Sequence, residues 1–179
     1  MTTGMSAQEL KQEGLRLFAE GLNEEAGAMF RQAQVLFAAE GNQLEAAEML
    51  NNLGLVHRVQ HRYDEAREAL EAARAAFVRL GDRGREAQAL GNLGGLHATM
   101  GDYATAKELL RQAAAMFEEL GDDQHRAETL LALGGILWKT GERTEGLVTY
   151  ETGLQCLKKP TLSQKALRGL LALRSRLTR

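Results

Sequence analysis

Two stretches forty residues apart, NNLGLVH at 51–57 and GNLGGLH at 91–97, each place an asparagine before Leu-Gly and end on a histidine. Imidazoles are good metal ligands, yet no cysteine or second histidine stands at ligand spacing near His57 or His97. Both lie on a hydrophobic stripe and read as packed core imidazoles, each with a hydrogen bond. His61 and His125 fall at loop positions. Cys156 is the single cysteine, which excludes an internal disulfide and fits a reducing compartment. It aligns with Leu36, Ala76 and Met116, so it reads as a core residue. The acidic pairs Glu24–Glu25 and Glu118–Glu119 fall on solvent-facing helix surfaces, and the sequence holds no G-x-x-x-x-G-K-[ST] phosphate loop. No constellation of nucleophile, base and charge stabiliser emerges, so the expectation is a protein that is not an enzyme, with no catalytic residue, metal site or cofactor.

Charge limits the partners. The 22 basic and 24 acidic residues give a net charge of −2, unevenly spread. No Asp or Glu follows Glu151, while Lys158, Lys159, Lys165, Arg168, Arg174, Arg176 and Arg179 do. Residues 1–151 therefore carry 15 bases against 24 acids. A mostly acidic body argues against direct nucleic-acid binding. No apolar run approaches the roughly 20 residues that span a bilayer, and the start lacks the basic-then-apolar pattern of a secretory signal. The expectation is a cytoplasmic protein with no membrane partner.

What positions the two asparagines is a repeat. Gly14, Gly54, Gly94 and Gly134 share one column at a spacing of forty, as do Leu50, Leu90, Leu130 and Leu170. Ala26, Ala66, Ala106 and Gly146 form another, and Phe37, Phe77, Phe117 and Leu157 a further one. Each block reads as two amphipathic helices. Ala47, Leu50, Leu53, Gly54 and His57 make one buried stripe; Ala66, Leu70, Ala73, Phe77 and Leu80 make the next. Glycine then closes the second helix and Asp82 is placed to cap the one after. The pattern predicts helices at about 6–20, 23–40, 43–60, 63–80, 83–100, 103–120, 123–140, 143–157 and 162–177, with no strand. Glycine inside a helix costs up to about 1 kcal/mol against alanine. The column makes sense where the two helices of one block approach too closely for a side chain.

The pattern Leu50-x-x-Leu53-Gly54-x-x-His57 followed by Ala66-x-x-x-Leu70, with its counterparts beginning at Leu90 and Leu130, resembles the tetratricopeptide repeat. Block one matches with Leu10, Gly14, Leu17, Ala26 and Phe30, but Glu13 replaces the leucine. The period exceeds the usual 34, and the closing proline of the family is absent. The chain is thus similar to the long-repeat subclass of Leu-Gly-Asn-type adaptors and kinesin light chains. The resemblance implies an all-α, right-handed superhelix over 1–179 as one domain. Its repeats would be 6–40, 43–80, 83–120 and 123–157, closed by a capping helix at 162–177.

Function would then lie on the row of first-helix residues left exposed along the inner curve. By the 100° step that row is Glu48, Asn51, Asn52, Leu55, Arg58 and Val59 in block two. In block three it is Gln88, Gly91, Asn92, Gly95, Ala98 and Thr99. In block four it is Glu128, Leu131, Ala132, Gly135, Trp138 and Lys139; Lys11, Gln12, Leu15 and Phe18 supply block one. The family often uses an asparagine just before Leu-Gly to bond the main chain of an extended ligand, which implies that role for Asn52 and Asn92. Gln12 could substitute in block one, and Ala132 breaks the row. Arg58 and Lys139 could meet a ligand carboxylate. Trp138, the only tryptophan, is expected to pack under the terminal helix in preference to forming a binding hot spot. The leading expectation is a non-enzymatic adaptor that binds an extended peptide or a helix of a partner protein. The alternatives are a self-associating module, held by the basic end against an acidic body as a weak homo-oligomer, and a sensor or regulatory subunit acting through a partner.

Overall fold

The computed structural model describes residues 4–158, 160–167 and 169. Helices run α1 Ala7–Ala19, α2 Asn23–Ala39, α3 Gln43–Val59, α4 Tyr63–Leu80, α5 Arg83–Met100, α6 Tyr103–Leu120, α7 Asp123–Lys139 and α8 Arg143–Cys156. Each begins and ends within one residue of its expected bounds, and no strand occurs among the described residues. Residues 162–167 are helical; most of the expected capping helix lies outside the described residues.

Punctuation sets these bounds. Every twenty residues the chain leaves a helix through a left-handed residue: Gly21, Gly41, Gly81, Gly101, Gly121 and Gly141. His61 holds the same register with φ 61°, the one described non-glycine to do so. Its Nδ1 lies 2.8 Å from the Tyr63 hydroxyl. The next helix is then capped: Asp82 Oδ1 accepts from the Arg85 N–H at 2.9 Å, as expected. Asn42, Asp102 and Asp122 do the same for α3, α6 and α7. At the start, Ser6 and Glu9 form a reciprocal capping box that the sequence reading had not singled out. His125, expected in a loop, is in the first turn of α7, with Nδ1 2.7 Å from Asp122 Oδ2 and its ring stacked on Phe117.

The chain divides into two compact units, Met1–Leu96 and His97–Arg179. In the first, Phe30, Ala33 and Phe37 of α2 pack with Leu10 and Leu17 of α1 and with Ala46, Met49, Leu53 and Val56 of α3. A second cluster joins Ala47 of α3 to Ala73, Ala76 and Phe77 of α4 and Ala89 of α5. In the second unit, Ala106 and Leu110 of α6 pack with Leu133, Ile136 and Leu137 of α7, and Ala127 of α7 packs with Leu154 of α8. A first helix therefore buries two stripes, not the single one expected. α3 lies between α2 and α4, so Ala46, Met49 and Val56 are covered on one side while Ala47, Gly54 and His57 are covered on the other.

The aligned glycines sit where the paired helices touch. A methyl group at Gly54 would lie 2.5 Å from the Leu70 side chain and 3.2 Å from the Ala66 carbonyl oxygen. At Gly14 it would meet the Phe30 ring at 2.6 Å. At Gly134 it would meet backbone, the Gly146 oxygen and the Tyr150 nitrogen each at 2.9 Å. Gly134→Ala should therefore cost about 2–3 kcal/mol through overpacking. Its neighbour Gly135→Ala, where a methyl group meets nothing within 4 Å, should gain up to about 1 kcal/mol of helix propensity. Denaturant melts of the two variants should move in opposite directions. His61→Gly, by relieving the left-handed strain at the loss of the Tyr63 contact, should raise stability by roughly 0.5 kcal/mol in the same assay.

A candidate ligand-binding face on the first helices

In the first unit, charged side chains tie α1, α3 and α5 together along one face. Lys11 Nζ reaches Glu45 Oε2 at 2.8 Å and Glu48 Oε1 at 2.7 Å. From α5, Arg85 Nη2 reaches Glu48 Oε2 at 2.9 Å and Nη1 reaches Asp82 Oδ2 at 2.8 Å. Burial alone would push the Glu48 carboxyl up, but Lys11 and Arg85 outweigh it and hold the group below the usual carboxylate range. Asp82 is lowered likewise, its burial offset by hydrogen bonds from the Arg85 backbone and side chain.

Beside this network lies a cleft of about 340 Å³, lined by Glu48, Asn51, Asn52, Asp82, Gly84, Arg85 and Gln88. The two asparagines expected to act alike differ. Asn92 donates from Nδ2 to Asn51 Oδ1 at 2.9 Å and is committed to the fold. Asn52 lines the cleft with its Nδ2 buried and without a hydrogen-bond partner. Asn51, expected in the exposed row, is only 9 % exposed, because the second buried stripe of α3 draws it in. The sequence reading missed its role as the acceptor that holds Asn92; polar residues forty-one apart carry no local signal of such a bond.

The other expected residues divide between the units. Gln12 is exposed on α1, and Leu55, Arg58 and Gln88 are half-buried on α3 and α5. Arg58 lies against Gly95, where a Cβ would meet Nη1, the movable end of the arginine side chain. Trp138 and Lys139 belong to the second unit. Trp138 was expected beneath the terminal segment; instead it is 53 % exposed, with the Arg143 guanidinium 5.7 Å from its ring centre. Lys139 Nζ stands 5.0 Å over the Tyr103 ring.

Of the two histidines expected in the core, His57 is buried and His97 only partly so. His97 Nδ1 pairs with Asp102 Oδ2 at 3.0 Å. His57 is buried with Nδ1 unpartnered, and burial followed by the nearby Arg62 charge lowers its pKa against the opposing influence of Glu65 and of a side-chain hydrogen bond with Gln60. Among the described residues no group of three His, Cys, Asp or Glu side chains is arranged to hold a metal ion, and no helix is long and apolar enough to cross a membrane.

The family model described as tetratricopeptide repeat matches residues 45–119 and 85–159, together more than half of the chain. A comparison with curated proteins gave no match. Solved structures share the fold at low identity. BtubC (BKLC) from P. vanneervenii superposes with a TM-score of 0.73 at 18 % identity, over 87 % of this chain and 67 % of that one. A Rap protein complexed with competence and sporulation factor gives 0.80 at 18 %, over 84 % of this chain but 42 % of its own. MamA gives 0.61 at 19 %, over 84 % of this chain and 77 % of that one.

The charge network carries its own test. A carboxyl held low in the folded state stabilises above its ordinary pKa of 4.5 and loses that contribution as pH falls. Stability should therefore drop as pH is lowered below about 4.5, and Glu48→Gln should flatten that drop in urea titrations at stepped pH.

Proposed function

The chain belongs to the tetratricopeptide repeat family, and from that premise we propose that it is a non-enzymatic adaptor of the long-repeat kind, holding an extended peptide of a partner protein on its first-helix face. The family supports protein interaction in general. The observation that carries the finer reading is the Asn52 amide: a buried N–H donor with no acceptor, in a polar cleft. Leaving such a donor unsatisfied costs roughly 1–3 kcal/mol. Rotation of the side chain that brings this N–H out to the cleft lets a main-chain carbonyl of a ligand supply the missing acceptor, whatever the side chain beside it. The flanking Glu48 and Asp82 carboxylates and the Gln88 amide could receive or offer further bonds to the same strand. A relative of this fold solved as a Rap protein complexed with competence and sporulation factor gives general support to a ligand-holding role.

In the second unit the exposed Trp138 indole, under Arg143, and Lys139 beside Tyr103 offer a separate patch of contact. An indole presented with a cation on its face is a natural anchor for a partner side chain.

The two asparagines separate binding from folding. Asn52→Ala should leave thermal stability unchanged or slightly higher, since it removes an unsatisfied donor, while weakening a purified partner about tenfold in calorimetry. Asn92→Ala should cost about 1 kcal/mol of stability by stranding Asn51. An Asn52→Ala protein that binds its partner with wild-type affinity would rule out the cleft.

A further inference from the structure

The first helix pair carries an apolar cleft that shares no residue with the cleft at Asn52. Its volume is about 510 Å³, and Met5, Leu10, Met29, Val35 and Leu36 line it. Val35 is 62 % exposed, and Met5 and Leu36 are exposed too. Arg31 also lines the cleft, but its guanidinium lies over Gly27 toward α3: a Cβ there would meet Arg31 Nη1 at 3.5 Å and Val56 at 3.3 Å. The repeat explains the opening. Gly4 stands forty residues before Leu44. In the second block Leu44, from the first turn of α3, packs on the cluster of Ala47, Ala73, Ala76 and Phe77. In the first block glycine offers no side chain for that space, and Leu36 stands where Ala76 does. The counterpart within the chain thus shows what fits: a leucine carried on a helix.

The chain also carries a segment of matching chemistry. The Gln164 N–H donates to Thr161 Oγ1 at 3.3 Å and the Thr161 N–H to Gln164 Oε1 at 2.8 Å, a capping box that starts a helix. Beyond it the sequence sets Ala166, Leu170, Leu173 and Leu177 at helical spacing, among Lys165, Arg168, Arg174 and Arg176 and without an acid. The described part of this segment leaves its apolar side chains uncovered in its own chain: Leu162 is 85 % exposed, and Ala166 and Leu167 are exposed as well. Residues 6–40, by contrast, hold six acids against three bases, and one of those bases, Lys11, is taken by Glu45 and Glu48. Glu9 adjoins Leu10, and Glu40 closes α2 one turn after Leu36. A basic helix striped with leucine is complementary to this cleft in charge and in shape, whereas the same cleft of another copy, flanked by the same acids, is not.

We infer that the α1–α2 cleft is the receptor for residues 166–177 of a second copy, so that copies join head to tail. Such a contact is heterologous: it leaves copies free to add one to the next or to close into a ring. It stands apart from the ligand reading at Asn52, and neither depends on the other.

Sedimentation of the full chain tests this. Self-association should grow with protein concentration, and raising salt from about 0.05 M to about 0.5 M should weaken it as the charges are screened. Val35→Glu spoils the cleft at a side chain that is already exposed, and Leu173→Glu spoils the segment. Each alone should weaken self-association about tenfold or more. Mixed together, the two variants should pair, because the first keeps its segment and the second its cleft, and the complex should stop at one copy of each. Circular dichroism melts of dilute protein check that both are folded, and Leu173→Glu should leave Tm unchanged there. A protein that stays monomeric at every concentration, self-association that survives both substitutions, or mixed variants that fail to pair would overturn the inference. So would a lowered Tm of dilute Leu173→Glu, which would put the segment on its own chain.

Discussion

The close approach of paired helices is the constraint on which the rest depends. Two helices come within backbone contact only if one surface has no side chain at the crossing. The chain meets that condition by different means. Gly14 accommodates the Phe30 ring and Gly54 the Leu70 side chain, whereas in the α7–α8 pair Gly134, Gly146 and Gly153 bring backbone against backbone. Ala26, Ala66 and Ala106 are wholly buried on the facing helices. With that spacing set, α3 is covered by α4 and by the preceding α2, and α7 by α8 and by the preceding α6. What remains for ligands is a narrow strip, not a broad face.

That strip is largely neutralised from within. Lys11, Glu45, Glu48, Arg85 and Asp82 satisfy one another across three helices. Partly buried pairs of this kind lose much of their mutual attraction to desolvation, but they remove the most obvious charges from competition for a partner. Recognition is left to what the fold has not satisfied. Asn52 keeps a buried donor without an acceptor. It makes the free protein less stable than an apolar substitute would. A local cost of this kind is typical of sites shaped for binding, where the rules of good packing give way.

Much was legible in the sequence because it is local. The forty-residue period, the helix bounds, the glycine exits and the Asp82 cap each depend on residues within a few positions of one another. Propensity, the 3.6-residue stripe and the left-handed preference of glycine suffice to place them. Membership of the tetratricopeptide repeat family follows from the same periodic signature. His61 shows the limit even here: its left-handed backbone is set by its place in the twenty-residue rhythm of exits and not by its own preference.

Only the tertiary structure decided which polar groups remain available. Asn52 and Asn92 stand alike before Leu-Gly, yet one is consumed by Asn51 from a helix forty residues away and the other is left open. Helical periodicity gives the direction of a side chain, not the identity of what it meets. For the same reason the second buried stripe of α3, the exposure of Trp138 under Arg143 and the contact of Arg58 with Gly95 could not be read along the chain. The sequence determined the helices and their repeat, since those arise from neighbours in the chain. Packing determined the binding face, since satisfaction of a donor or a charge depends on neighbours in space.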